Sequence, residues 1–244
     1  MSKQLQEAAR RLAASKNILV LTGAGISADS GIPTFRGKDG LWNNRRGEEL
    51  ASIDLLLEDP KLAWQWYDAM RVLIAKNKPN PGHLALAALE KMRPDLALTT
   101  QNIDGYHSDA GSRRVFELHG NFWRLRCMAC GKMDENRQAP IKELPPKCAC
   151  GGLLRPDIVL YGEQLPVEAL EGAFARARES DFCLVVGTSC VVYPAALLPQ
   201  AAKRNGAFLL EVNPENTQLS EYADMTINGT AAAVLPKLVH ALQS

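Results

Sequence analysis

"NILVLTGAGISADSGIPTFRG", residues 17 to 37, decides how this chain is read. The apolar run Ile18 to Leu21 has the composition of a strand buried on both faces. Gly23-Ala24-Gly25-Ile26-Ser27-Ala28 follows it, a fair match to the G-x-G-x-x-G/A turn that receives phosphate groups. A hydride-transferring dinucleotide unit would continue with a full helix and a second strand ending in an acidic residue about 20 positions on. Here Gly31 and Pro33 break the helix within its first two turns. The stretch predicts a phosphate-binding strand end that runs into a loop, Ser30 to Gly37, instead of a complete dinucleotide unit.

Further apolar, β-rich runs lie at Leu96–Thr99, Cys183–Val186 and Phe208–Val212. Helical patterns occupy Gly82–Lys91, Pro166–Glu179, Tyr193–Asn205 and Ala231–Leu242, and Leu5, Ala8, Ala9 and Leu12 repeat at helical spacing near the start. Doubly buried strands alternating with helices predict an α/β fold with a parallel sheet. Two stretches break the alternation. Residues 38–80 look helical, with Asp59 as N-cap and Pro60 at the first position of a helix reaching about Lys76. Residues 124–156 are rich in Cys, Pro and Gly, with little periodicity. The expected organisation is a large domain of residues 1–37, 81–123 and 157–244, and a small one of 38–80 and 124–156. A cleft between them is the default place for a site.

The 244 residues carry 28 basic and 27 acidic side chains, a net charge of +1 and 46% hydrophobic residues. So even a balance gives no electrostatic footprint for nucleic acid or anionic lipid, and neither partner is expected. No run approaches the roughly 20 apolar residues of a membrane span. The first residues lack an apolar signal core, so a cytoplasmic location is expected.

Six cysteines stand at 127, 130, 148, 150, 183 and 190. Cys183 and Cys190 flank an apolar run and read as small hydrophobes. The other four form C-x2-C, a 17-residue gap and C-x-C, and glycines follow Cys130 and Cys150. Cys127, Cys130, Cys148 and Cys150 are expected to enclose one structural Zn²⁺ with no open position, holding the small domain together and taking no part in chemistry.

Polar residues gather at the carboxyl ends of the predicted strands, where α/β sheets bind ligands. Thr99 to Asp104 follow one run, Gly187-Thr188-Ser189 another, and Asn213-Pro214-Glu215 a third. With the glycine turn, four strand ends carry small or hydrogen-bonding groups, which suits a ligand as long as a dinucleotide. His119, in "FELHGNFW", is a general-base candidate beside them.

In family order, "GAGISADSGIPTFRG", "GLW", "TQNIDGYH", "LHG", the two cysteine knuckles, "LRPDIVLYGE", "GTS" and "VNPE" resemble the sirtuins, the NAD-dependent protein lysine deacylases. The match runs along essentially the whole chain. It implies a Rossmann-like domain, a smaller helical and zinc-ribbon domain, and NAD consumed in the cleft between them. It assigns the cofactor to Gly23, Ala24, Gly25, Ile26 and Ala28, with the pyrophosphate on backbone amides of Ala24, Gly25 and Ile26. Pro33, Phe35, Arg36 and Trp42 would cover the cofactor, and Gln101, Asn102, Ile103 and Asp104 would line the nicotinamide and ribose pocket. Gly187, Thr188, Ser189, Asn213, Pro214, Glu215 and Ala231 would hold the adenosine half. The resemblance makes His119 the general base on a ribose hydroxyl, after the acyl-lysine oxygen has displaced nicotinamide. The products would be free lysine, nicotinamide and O-acyl-ADP-ribose. Val159, Tyr161, Gly162 and Glu163 fall in the segment that pairs with the substrate peptide, and Val159 and Tyr161 would flank the acyl-lysine channel. A mono-ADP-ribosyltransferase shares the nicotinamide-release step and stays open as the alternative. The sequence leaves the oligomeric state open, a monomer included.

Family members that remove succinyl and malonyl groups carry a Y-x-x-R pair that clamps the distal carboxylate. In "WQWYDAMRVL" Tyr67 matches, Met70 takes the arginine position, and Arg71 follows one residue late, on the opposite flank of the helix. Tyr67, Met70 and Arg71 are the expected substrate residues of this helix, and an adaptable acyl pocket with less selectivity for carboxylates is expected, accepting acetyl and longer aliphatic groups.

Overall fold

A computed structural model of the chain describes residues 2–34 and 49–243. Its larger part is a six-stranded parallel sheet in the order β3-β2-β1-β7-β8-β9. The strands are β1 (Ile18–Thr22), β2 (Leu96–Thr100), β3 (Val115–Glu117), β7 (Phe182–Val186), β8 (Phe208–Asn213) and β9 (Met225–Asn228). Every residue of β1, β2 and β7 is buried, as continuous apolar runs require when helices cover both faces. The order reverses between β1 and β7, so this is the Rossmann-like doubly wound arrangement, and its crevice opens beyond those two strand ends.

On one face Leu5, Leu12, Leu86, Leu89, Leu235 and Leu238 pack onto the sheet from α1 (Lys3–Ala14), α5 (Pro81–Met92) and α9 (Ala231–Gln243). Ala173, Ala177, Leu198 and Ala202 cover the other face from α7 (Val167–Glu179) and α8 (Leu197–Arg204). The helix starts follow local chemistry. Ser2 caps α1 through Leu5 N–H at 3.2 Å, and Asn80 caps α5 with Pro81 behind it. Helix α8 is shorter than the Tyr193–Asn205 pattern predicts. Tyr193 precedes Pro194, whose ring disfavours helical backbone at that residue. The glycine turn behaves as expected: α2 (Gly25–Ala28) is a single turn.

A second, antiparallel sheet, β5-β4-β6, stands apart, built from β4 (Gly120–Cys127), β5 (Met133–Glu135) and β6 (Leu154–Ile158). Helices α3 (Ile53–Glu58) and α4 (Pro60–Lys76) share a separate core with it, around Trp64, Tyr67, Phe122, Trp123 and Leu125. Asp59 accepts Leu62 N–H at 3.0 Å and Pro60 opens α4, as the sequence predicts. The short helix α6 (Tyr106–Asp109) follows the loop after β2. Among the described residues no helix is long and apolar enough to cross a membrane.

The two sheets meet at Gly120, where φ is +76° and a Cβ would stand 2.0 Å from the Asp157 carbonyl oxygen. Only glycine fits, and this turn carries His119 into the crevice. Gly120→Ala is expected to destabilise the fold by about 2 kcal/mol or more. Urea unfolding followed by circular dichroism checks this.

Candidate active site

The site starts where β1 and β7 end. Gly23 N–H donates to Val186 O at 3.1 Å and Gly25 N–H to Gly187 O at 2.8 Å. A Cβ on Gly25 would lie 2.7 Å from Gly187 Cα, so the two loops touch backbone to backbone. Within the turn Ile26 N–H donates to Gly23 O and Ser27 N–H to Ala24 O. The amides of Gly25 and Ile26, assigned to the pyrophosphate by resemblance, thus already close the turn and would have to share their hydrogen atoms with it.

Beyond these ends lies a cleft of about 690 Å³, a size suited to a large ligand. Gly23, Ala24, Gly25, Gln101, Asn102, Ile103 and His119 form its floor. Gly187, Thr188, Ser189, Asn213 and Glu215 form one flank, and Val159, Tyr161, Gly162 and Glu163 the other. Four separate strand ends do converge. Gln101 donates to Thr188 Oγ1 at 3.0 Å and Asn213 to Thr188 O at 3.2 Å, which ties three of them together.

Asn102 is buried and donates to Gly23 O at 3.1 Å. Asp104 is buried below the floor and accepts from Ser27 Oγ at 2.7 Å and Tyr106 N–H at 2.9 Å. Burial raises its pKa, with those two hydrogen bonds working the other way. It does not line the cleft.

His119 sits on the floor with Nδ1 2.8 Å from Gln101 O. A carbonyl only accepts, so Nδ1 carries the proton and Nε2 keeps its lone pair. Burial lowers the imidazole pKa from its usual 6.5, and the Gln101 bond pulls weakly back. The result is a tautomer-locked, neutral base.

Other expected site residues lie elsewhere. Ile26 and Ala231 are buried in the core under α5 and α9, Ala28 faces solvent, and Pro33 and Pro214 are not on the cleft wall. Phe35, Arg36 and Trp42 lie outside the described residues. Met70 and Tyr67 pack in the small core, and the buried Tyr67 hydroxyl has no partner, its pKa pushed up to about 12 by burial.

Arg71 is a correction to the expected substrate set. It is fully buried, and its guanidinium donates to Phe122 O, Asn136 O, Asn136 Oδ1 and Gln138 O while stacking 5.0 Å from the Trp123 ring. It anchors α4 to the antiparallel sheet and cannot clamp a carboxylate in the cleft. Trp66, which sequence reading passed over, reaches the cleft from α4 instead. Its one-residue offset from Tyr67 was the available signal.

The four expected zinc ligands gather with their sulfurs all within 4.8 Å of one another. Cys127 Sγ is 3.5 Å from Cys150 Sγ, and Cys130 Sγ is 3.8 Å from Cys148 Sγ. Tetrahedral ligation at the usual Zn–S distance requires about 3.8 Å between sulfurs, so the site fits one Zn²⁺. Backbone amides of Cys130 and Ala129 point at Cys127 and hold its thiol down to about 6, against desolvation. Cys183 is fully buried as expected, whereas Cys190 is half-buried.

A Sir2 family model matches residues 23–194. An NAD-dependent protein deacylase of Aquifex aeolicus is 55% identical over 223 residues, 91% of this chain and 93% of that protein. A solved Sir2 homologue in complex with NAD superposes with a TM-score of 0.91 at 43% identity, covering 100% of this chain and 94% of that one. Sir2Af2 bound to a myristoylated histone peptide gives 0.80 at 38% identity, covering 100% and 98%.

Purified protein is expected to carry one zinc per chain by elemental analysis. Cys150→Ser should lose most of it and lower the melting temperature, because a structural site with three thiolates holds the metal weakly.

Proposed function

The chain belongs to the Sir2 family, and from that membership we propose that its cleft is the active site of an NAD-dependent protein lysine deacylase. The observation that carries the reading is His119, neutral and tautomer-locked, between the converging strand ends and the 159–163 flank. NAD, the co-substrate, would supply the ribose carbon that the acyl-lysine oxygen bonds to as the bond to nicotinamide breaks and nicotinamide leaves.

The chain's own groups do the rest. The glycine turn leaves room for phosphates beside backbone, and Gln101, Asn102 and Ile103 wall the nicotinamide end. Thr188, Ser189, Asn213 and Glu215 face the adenosine end. His119 Nε2 takes a proton from a ribose hydroxyl, which then attacks the acyl carbon. The 159–162 segment receives the peptide main chain by β-augmentation, through backbone groups other than the N–H of Val159 and Tyr161, which are already bonded. Phe35, Arg36 and Trp42 are retained as cofactor contacts on the family resemblance alone. The same basis supports domain limits of 1–37, 81–123 and 157–244 against 38–80 and 124–156. The cysteine cluster, as thiolates on one zinc, fits a reducing compartment, and we place the protein in the cytoplasm. Deacylation is the named activity of the relatives, and ADP-ribosyl transfer to protein gains no separate support.

Acetyl-peptide incubated with NAD should lose its acyl mass while nicotinamide appears. A peptide that gains ADP-ribose instead would overturn the reading. His119→Ala should reduce kcat/KM by roughly 10²–10⁴-fold, the range of general-base catalysis, with zinc content unchanged. The base works neutral and its pKa is lowered, so the acid-side fall in wild-type kcat/KM should have its midpoint below pH 6.5.

Arg71 is committed to backbone carbonyls, and Trp66 supplies an apolar wall. Acetyl and long aliphatic groups should therefore be removed at least about tenfold more efficiently than succinyl on the same peptide, a difference of one charge left without its partner. Steady-state kinetics on three peptides differing only in the acyl group tests this.

A further inference from the structure

Residues 159–163 form a cleft wall just beyond the end of β6, outside the continuous strands of either sheet. The N–H groups of Val159, Leu160, Tyr161 and Glu163 are held one by one from different sources. Val159 N–H donates to His119 O, Leu160 N–H to Glu163 Oε2 and Tyr161 N–H to Ala51 O, each at 2.9 Å. Glu163 N–H returns to Leu160 O at 3.0 Å, closing the turn.

One ion pair fixes both ends of this segment. Arg155 is 3% exposed. Its Nη1 and Nη2 donate to Glu163 Oε1 and Oε2 at 2.5 and 2.8 Å. The same guanidinium donates to Ile158 O at 2.6 Å and Pro156 O at 3.2 Å. Each partner therefore carries the charge pair and a backbone bond to the segment: Arg155 grips its start, and Glu163 grips Leu160. Burial works against the Glu163 charge, but Arg155 and the Leu160 amide outweigh it and keep the carboxyl below its usual range.

A buried ion pair adds little net stability over an apolar pair of the same volume, so its geometry is the more telling property. Glu163 was expected to touch substrate. With three donors already on its two oxygens, it is occupied with the turn.

We propose that Arg155 and Glu163 are positioning residues that preset Ile158–Gly162 as a rigid docking edge for the peptide main chain flanking the acyl-lysine. They act on the length of chain recognised, through their hold on the backbone of the segment. The inference rests on the deacylase reading.

The test compares an acetyl-lysine decapeptide with a single end-blocked acetyl-lysine, both assayed with NAD. In Arg155→Lys, which loses the bidentate fork, peptide KM should rise about tenfold, the cost of roughly one lost charged hydrogen bond. Peptide kcat should stay within about threefold, and the KM values for NAD and for the single residue within about twofold, since only main-chain docking is affected. Glu163→Gln should repeat the rise in peptide KM relative to the single residue, and it carries the test if Arg155→Lys melts below assay temperature. An equal rise in KM for both acyl substrates, a matching rise for NAD, or an unchanged peptide KM overturns the proposal. Wild-type protein that leaves both substrates intact overturns the deacylase reading itself, a separate outcome.

Discussion

The structure depends on one backbone contact, the touch of the β1 turn against the β7 turn. Gly25 N–H meets Gly187 O at 2.8 Å, and a Cβ on Gly187 would lie 2.5 Å from Ile26 N. Side chains there would push the strand ends apart. Because they stay together, the crevice of a doubly wound sheet narrows to a place where a phosphate can lie against bare backbone. The neighbouring ends then add their polar groups at fixed separation: Gln101 reaches Thr188, and Asn102 reaches Gly23.

The small antiparallel sheet is fastened to this crevice through aromatic and guanidinium groups. Trp123 donates from Nε1 to Asp104 O at 2.8 Å, below the cleft floor. Arg71 stacks on the same ring and takes carbonyls from both sides of the ribbon. The zinc cluster thus has a mechanical part in the site without touching it. Metal folds the ribbon, the ribbon presents Trp123, and Trp123 holds the loop that contains Asp104.

Much of this was legible in the chain. Apolar runs ending in small polar residues located the strands and the cleft, because a doubly buried strand leaves its own composition in the sequence. Cysteine spacing located the metal, since ligand geometry tolerates few alternatives. Reading failed where a side chain's direction is set by tertiary packing. The Asp104 side chain sits in a motif that lines the cleft, yet it turns inward to buried partners. Arg71 is one residue out of helical phase with Tyr67, and only the position of the ribbon decides that its charge serves carbonyls. Arg155 and Glu163 are eight residues apart, and nothing in periodicity announces that they pair.

Residue 119 is bonded on two sides. Its ring donates to Gln101 O on the cofactor floor, and its main-chain carbonyl accepts Val159 N–H from the peptide flank. The cleft floor and its 159–163 flank therefore share a joint at His119. Any free energy by which an occupied peptide flank changes the hold on the dinucleotide must act with equal size in the reverse direction.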